Sequence, residues 1–286
     1  MASLVSTHWL AEELGAGDLV ILDASAHLPM AGRDAAGEFE KAHIPGARFL
    51  NLKTLIDPDA DVTSALPTRA QFDERMGQLG VKPKDRIVLY DDSTMRTSAR
   101  AWFIGTHYGL DGLCVLDGGL GKWRAEGHAV ESGTPSIAPT RFASSGGAGE
   151  VRTKADMLAN LETGDEQVID ARDAARFTGA TPDFRPEVAD GHIPGSFNLP
   201  FERVLRDDGT FKDATQLRQV FSDAGIDLQR PVVTTCGSGV TASVLLFALH
   251  QMGKSDLALY DGSWSDWGTD PSTPKQTGPG AGKDDT

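Results

Sequence analysis

The chain has 286 residues, long for one compact core and comfortable for two domains of about 130 residues each. Its formal charge of −14 opposes approach to phosphate backbones and anionic lipid, which excludes nucleic acid and membrane as expected partners. No stretch reaches the roughly 18 apolar residues of a membrane span, and the start carries no basic leader before an apolar run, so a cytoplasmic location is expected.

In chain order, "VILDAS" (20–25) is a short apolar strand ending in Asp23, followed by an exposed segment and a His-Ile-Pro-Gly turn at 43–46. "RIVLYD" (86–91) is a second strand, and "TSARAWFIGTHYG" (97–109) a helix with a glycine stop. "LCVLD" (113–117) is a third strand, which makes Cys114 an inert core thiol, and Asp117-Gly118 closes it with a turn. The stretch 134–150 is rich in Pro, Ser, Gly and Ala and reads as a linker.

The same motifs then recur in the same order: "QVIDAR" (167–172), a second His-Ile-Pro-Gly at 192–195, the β-branched "PVVTT" (231–235), the helix-like "TASVLLFALHQMG" (241–253) and "ALYDGSWSDW" (258–267). The halves are copies. The expected division is a first domain over 1–133, the linker 134–150, a second domain over 151–270 and a flexible tail over 271–286. Alternating strands and helices predict an α/β fold in each copy, a parallel sheet flanked by helices, with any ligand at the carboxyl ends of the strands.

Cys236 lies at such an end. Followed by Gly237, Ser238 and Gly239 and then by a helix, its sulfur faces backbone N–H groups that the glycines leave free to converge on an anion. A helix-start position of this kind favours the thiolate, which is the nucleophilic form. From spacing alone, a buried thiol acting as a small hydrophobe is an equal alternative. Aligning "RIVLYD" over "PVVTTC" puts Asp91 opposite Cys236, so one copy reacts and the other supports it. His43 and His192 open the same turn in both copies, including the copy without the thiol, and are expected to be structural.

Together the repeat, the paired HIPG turns, Asp91 opposite Cys236, "CGSGVT" and "YDGSWSDW" resemble the tandem-domain rhodanese family of sulfurtransferases, and within it the 3-mercaptopyruvate branch, over about residues 4–270. The resemblance implies two tandem rhodanese-like domains and a cysteine persulfide at Cys236, held by the loop amides of Gly237, Gly239, Val240 and Thr241. Its sulfur comes from a small donor, 3-mercaptopyruvate or thiosulfate, and passes to cyanide or to a thiol such as a small thiol or a thioredoxin-like protein. No cofactor or metal is implied, and Asp57, Asp59 and Asp61 read as a solvated loop.

Arg176 and Arg185, nine apart, match the two arginines with which the mercaptopyruvate branch holds its substrate; Arg172 pairs more readily with a neighbouring acid. Thiosulfate-type relatives place basic side chains just after the cysteine, whereas Gly237 and Ser238 leave room for a larger organic monoanion. Ser238 is expected either to aid protonation of the departing pyruvate enolate or to be a small loop residue satisfying a backbone group. The Asp and His that animal members bring to this serine find no His in "NLKTLIDPDADVTSALP" (51–67). A cysteine phosphatase is the enzymatic rival, but Ala242 stands where its Cys-x5-Arg loop needs arginine. A non-catalytic binding module is the other, and it suits the first copy better than the second.

Overall fold

The computed structural model describes residues 2–147 and 149–281, which form two compact units. One comprises Met1–Pro58, Leu66–Gly149 and Asp207–Phe211, the other Asp59–Ala65, Glu150–Arg206 and Lys212–Thr286.

The first unit runs β1 (Leu4–Val5), α1 (Thr7–Glu13), β2 (Leu19–Asp23), α2 (Ala35–Lys41), β3 (Arg48–Phe49), α3 (Arg69–Gln78), β4 (Arg86–Tyr90), α4 (Ser98–His107), β5 (Leu113–Leu116) and α5 (Gly119–Ala125). The second repeats it as β6 (Glu150–Arg152), α6 (Lys154–Thr163), β7 (Gln167–Asp170), α7 (Ala174–Thr178), β8 (Phe197–Asn198), α8 (Ala214–Asp223), β9 (Val232–Thr235), α9 (Ala242–Gln251), β10 (Leu257–Tyr260) and α10 (Ser263–Trp267). The sheets are all parallel, ordered β1-β5-β4-β2-β3 and β6-β10-β9-β7-β8. The α/β reading thus holds in both copies, and neither β1, α1, β6 nor α6 was legible in the sequence pattern.

Strand β9 occupies the centre of its sheet because all four of its residues are buried and apolar or β-branched, the composition of a parallel strand covered on both faces. The helix after it, α9, buries every residue from Ala242 to Leu249, so its sequence is apolar on every side except at Ser243, whose hydroxyl donates to the Gly239 carbonyl. Other helices start on conventional signals: Thr68 with Gln71, Thr153 with Asp156 and Asp213 with Gln216 each form a capping box. Thr241 at the start of α9 makes no such bond, and the N-terminus of that helix carries its partial positive charge to the carboxyl end of β9.

The two His-Ile-Pro-Gly turns are built alike. His43 stacks on Phe39 with ring centres 4.0 Å apart and its Nδ1 lies 2.7 Å from the Phe39 carbonyl; His192 stacks on Phe177 at 3.8 Å with Nδ1 2.8 Å from the Phe177 carbonyl. Each backbone at this point also pairs with an antiparallel segment, His43 with Glu131 and His192 with Gln276.

That second pairing corrects the expected tail. Residues 271–281 are tied down: Gln276 bridges His192, the Trp267 indole donates to the Pro274 carbonyl, and the Ala281 amide donates to the Ser196 carbonyl. Polar composition gave no sign of this, because the segment is held by backbone bonds rather than by a core of its own. The remaining expected tail, 282–286, lies outside the described residues. The expected linker is held in place as well. Thr140 donates its amide to Gly77, Ser144 donates to Asp73 and Phe142 is buried, so the segment is fastened along the first unit, and β6 begins at Glu150. Among the described residues no helix is long and apolar enough to cross a membrane.

Candidate active site

Cys236 follows the last residue of β9 directly, with a side chain that is almost wholly buried. The Ser238 amide points at its Sγ at 3.5 Å, and Gly239 adopts φ +76°, a left-handed turn that suits glycine and bends the loop back toward α9. Val240 and Thr241 form the turn that opens α9, their carbonyls accepting from Ser243 and Val244. Of the amides expected on the sulfur, that of Gly239 is instead engaged by a serine hydroxyl.

The serine is Ser263, which the sequence reading overlooked. Its Oγ accepts from the Cys236 amide at 3.1 Å and from the Gly239 amide at 3.0 Å, and donates to the Tyr260 carbonyl at 2.9 Å. Ser263 holds φ +51°, a conformation that costs a non-glycine residue on the order of 1 kcal/mol. The loop is fastened on its far side as well, since Cys236 and Gly237 accept through their carbonyls from the amides of Trp264 and Ser265, both at 2.9 Å.

The arginines separate. Arg185 reaches the loop: its Nη1 donates to the Ser265 hydroxyl, which donates in turn to the Gly237 carbonyl, and Nη2 lies 4.0 Å from where a Cβ on Gly237 would stand. Asp183, buried and also unanticipated, holds the other edge of the same guanidinium through Nε at 2.8 Å and Nη2 at 3.0 Å. Burial pushes the Asp183 carboxyl up, but the bonds from Arg185 outweigh it and hold the group below its ordinary value. Arg176 sits in α7, on the connection that leaves the carboxyl end of β7 beside β9, and pairs with Asp173 three residues before it. Both belong to the crossover from β7 to β8, but of the two it is Arg185 that joins the loop's carbonyl network, through Ser265.

Arg172 is structural. Its guanidinium is buried, bonds Asp170 at 2.6 Å, donates to the Gly191 carbonyl at 2.8 Å and lies 4.7 Å over the Trp264 ring. The Ser238 hydroxyl, half-buried, makes no hydrogen bond to the described residues. Cys114 is buried inside β5 with its thiol pushed up to about 12 by burial, which removes it as a nucleophile near neutral pH.

A parallel sheet whose central strand ends in a thiol met by a loop amide at the start of a helix, repeated once without the thiol, defines the rhodanese fold, and the chain belongs to that family: the rhodanese-like domain matches residues 6–126 and 153–270. Within the family its likeness is to the 3-mercaptopyruvate sulfurtransferases. The enzyme of that name from Mus musculus is 38% identical over 271 residues, covering 93% of this chain and 91% of the relative. A protein of Arabidopsis thaliana named for both thiosulfate and 3-mercaptopyruvate, and as mitochondrial, is 36% identical over 95% of this chain and 77% of its own. The crystal structure of SseA from Escherichia coli, described as a 3-mercaptopyruvate sulfotransferase, superposes with a TM-score of 0.84 at 32% identity, covering 92% of this chain and 99% of that one.

Proposed function

We propose that the chain is a sulfurtransferase that moves the sulfur of 3-mercaptopyruvate through a Cys236 persulfide to a thiol or to cyanide, releasing pyruvate. The Cys236 thiolate attacks the donor sulfur, the carbon–sulfur bond breaks, and its electron pair leaves on the pyruvate enolate. A proton delivered beside Ser238 completes pyruvate. An acceptor thiolate or cyanide then attacks the outer sulfur of the persulfide, and the sulfur–sulfur pair returns to Cys236 as thiolate. The Ser238 amide and the N-terminus of α9 stabilise both anionic forms of the cysteine, a preorganised arrangement typically contributing a few kcal/mol per well-aimed donor.

The donor assignment rests on Arg185 above all. A guanidinium tied through Ser265 to Gly237, the residue after the reacting cysteine, is the cation we assign to a ketoacid carboxylate, and Arg176 on the same crossover is its expected companion. Thiosulfate is the second reading, supported by the double naming of the Arabidopsis thaliana relative. A cytoplasmic location and a small thiol or thioredoxin-like protein as acceptor complete the proposal.

Turnover of the two donors with the same acceptor tests it. Mercaptopyruvate is expected to be the better substrate, and Arg185→Ala to lower its kcat/KM by about 10- to 100-fold while lowering that of thiosulfate far less, the loss matching one charged hydrogen-bonding partner. Equal losses on both donors would refute the role given to Arg185.

A further inference from the structure

A guanidinium has five N–H bonds. In Arg185, Nε and one Nη2 bond are directed to Asp183 and one Nη1 bond to Ser265, leaving one N–H on each terminal nitrogen. Asp183 covers the side edge of the group, and the remaining pair, one N–H on each terminal nitrogen, faces away from that edge and is open to a carboxylate. The Arg185 amide also donates to Asp183 at 3.0 Å, which fixes the whole turn and not only the side chain. The arrangement has no counterpart in the other copy. Leu120 donates its amide to Asp91 as Trp264 does to Cys236, so the position matching Ser265 is Gly121, which has no hydroxyl to pass on a hydrogen bond.

Building on the sulfurtransferase reading, we propose that Asp183 and Ser265 are donor-specificity residues acting through Arg185. Asp183 neutralises the guanidinium locally, so the site accepts a monoanion with a planar carboxylate and disfavours a compact dianion, for which an uncompensated charge is the better partner. Ser265 is the positioning residue. One hydroxyl accepts from Arg185 and donates to the Gly237 carbonyl, tying the arginine that receives the donor to the loop that receives its sulfur. A single oxygen thereby sets the distance between carboxylate recognition and the reacting sulfur.

The test measures kcat and KM for 3-mercaptopyruvate and for thiosulfate, with cyanide as common acceptor, in the full chain and in Asp183→Asn, Ser265→Ala and Ser265→Thr. Asp183→Asn, which keeps shape and removes charge, is expected to shift the ratio of kcat/KM toward thiosulfate by about tenfold, the worth of one charge-assisted interaction. Ser265→Ala is expected to raise KM for mercaptopyruvate severalfold more than it lowers kcat, and Ser265→Thr to restore it. Asp183→Glu, which keeps the charge, gives a second readout if the asparagine variant fails to fold, and is expected to retain the preference for mercaptopyruvate. Variants that lose both donors in proportion, with the ratio unchanged, overturn the proposal. A wild-type chain that transfers sulfur from neither donor overturns the sulfurtransferase reading itself, so the two failures are distinct.

Discussion

The two copies differ most where their central strands end. After β9 comes Cys236 with the Ser238 amide aimed at its sulfur; after β4 comes Asp91, whose carboxylate takes the Ser93 amide at 2.9 Å on one oxygen and the Ser98 amide at 2.8 Å on the other. Burial pushes the Asp91 carboxyl up and these amides pull it back. The silent loop is therefore not collapsed: it is an anion cradle filled by its own side chain. Anion binding by the loop is thus a property of the fold, and the sulfur chemistry we propose rests on one residue placed in it.

A second difference lies one strand over. In the second unit the buried Asp170 is neutralised by Arg172, which packs on Trp264. In the first, Ser25 and Leu120 stand at those positions, the buried Asp23 is bonded by no arginine among the described residues, and a cavity of about 290 Å³ lined by Asp23, Ser25, Arg33, Leu120 and Arg124 remains. Burial raises the Asp23 carboxyl to about 6 against the opposing bond from Ser25. One copy solves its buried carboxylate by pairing and the other by shifting its proton affinity.

The largest expected stability effect follows from the pairing. Arg172→Met leaves Asp170 uncompensated in a buried site and is expected to destabilise the second unit by about 3–5 kcal/mol, measured by chemical denaturation. A loss below about 1 kcal/mol, the range of an exposed pair, would show that Arg172 is available for substrate instead.

The solution in the first unit is a pH effect. Asp23 binds its proton more tightly folded than unfolded, so its contribution is fully present below its ordinary value of 3.8 and is lost as pH rises through about 6. Over that window stability should fall by up to about 3 kcal/mol at 1.36 kcal/mol per unit, and Asp23→Asn should flatten the slope. An unchanged slope in the variant would contradict the comparison.

Ser263 gives a smaller effect that sharpens the contrast between loops. Its counterpart is Gly119, at φ +59°, where a Cβ would stand 2.2 Å from the Asp91 carbonyl oxygen; in the second unit the preceding Gly262 turns to φ −59° where Gly118 has +81°, and the serine is accommodated. Ser263→Ala keeps the left-handed strain and loses two bonds to the cysteine loop, for about 1–3 kcal/mol of stability and a slower sulfur-uptake step. Ser263→Gly relieves the strain and should cost less stability while losing the same rate. Thermal melting and stopped-flow sulfur uptake separate the two.

Much of this was legible in the sequence. The order of VILDAS, HIPG, RIVLYD and their second copies carried the duplicated fold, because strands buried on both faces must be short, apolar and β-branched. Strands β1 and β6, of two and three residues, are too short for any periodicity to register. Cys236 and Arg185 stood out by residue type, whereas Ser263, Ser265 and Asp183 did not. The two serines are ordinary small polar residues 27 and 29 positions after the cysteine, and their work depends on a left-handed turn and on carbonyls that only the folded loop presents. Residues 271–281 were misread for a related reason, since backbone pairing to His192 leaves no trace in composition.

The central claim is that a single thiol in one of two like cradles carries the sulfur. Mass spectrometry of the intact protein and its peptides after treatment with 3-mercaptopyruvate tests it most directly. The account predicts one added sulfur per chain, on the peptide containing Cys236, lost on addition of cyanide and absent in Cys236→Ser, with Cys114 unmodified. An adduct that survives Cys236→Ser, or no adduct on a chain that still releases pyruvate, would contradict it.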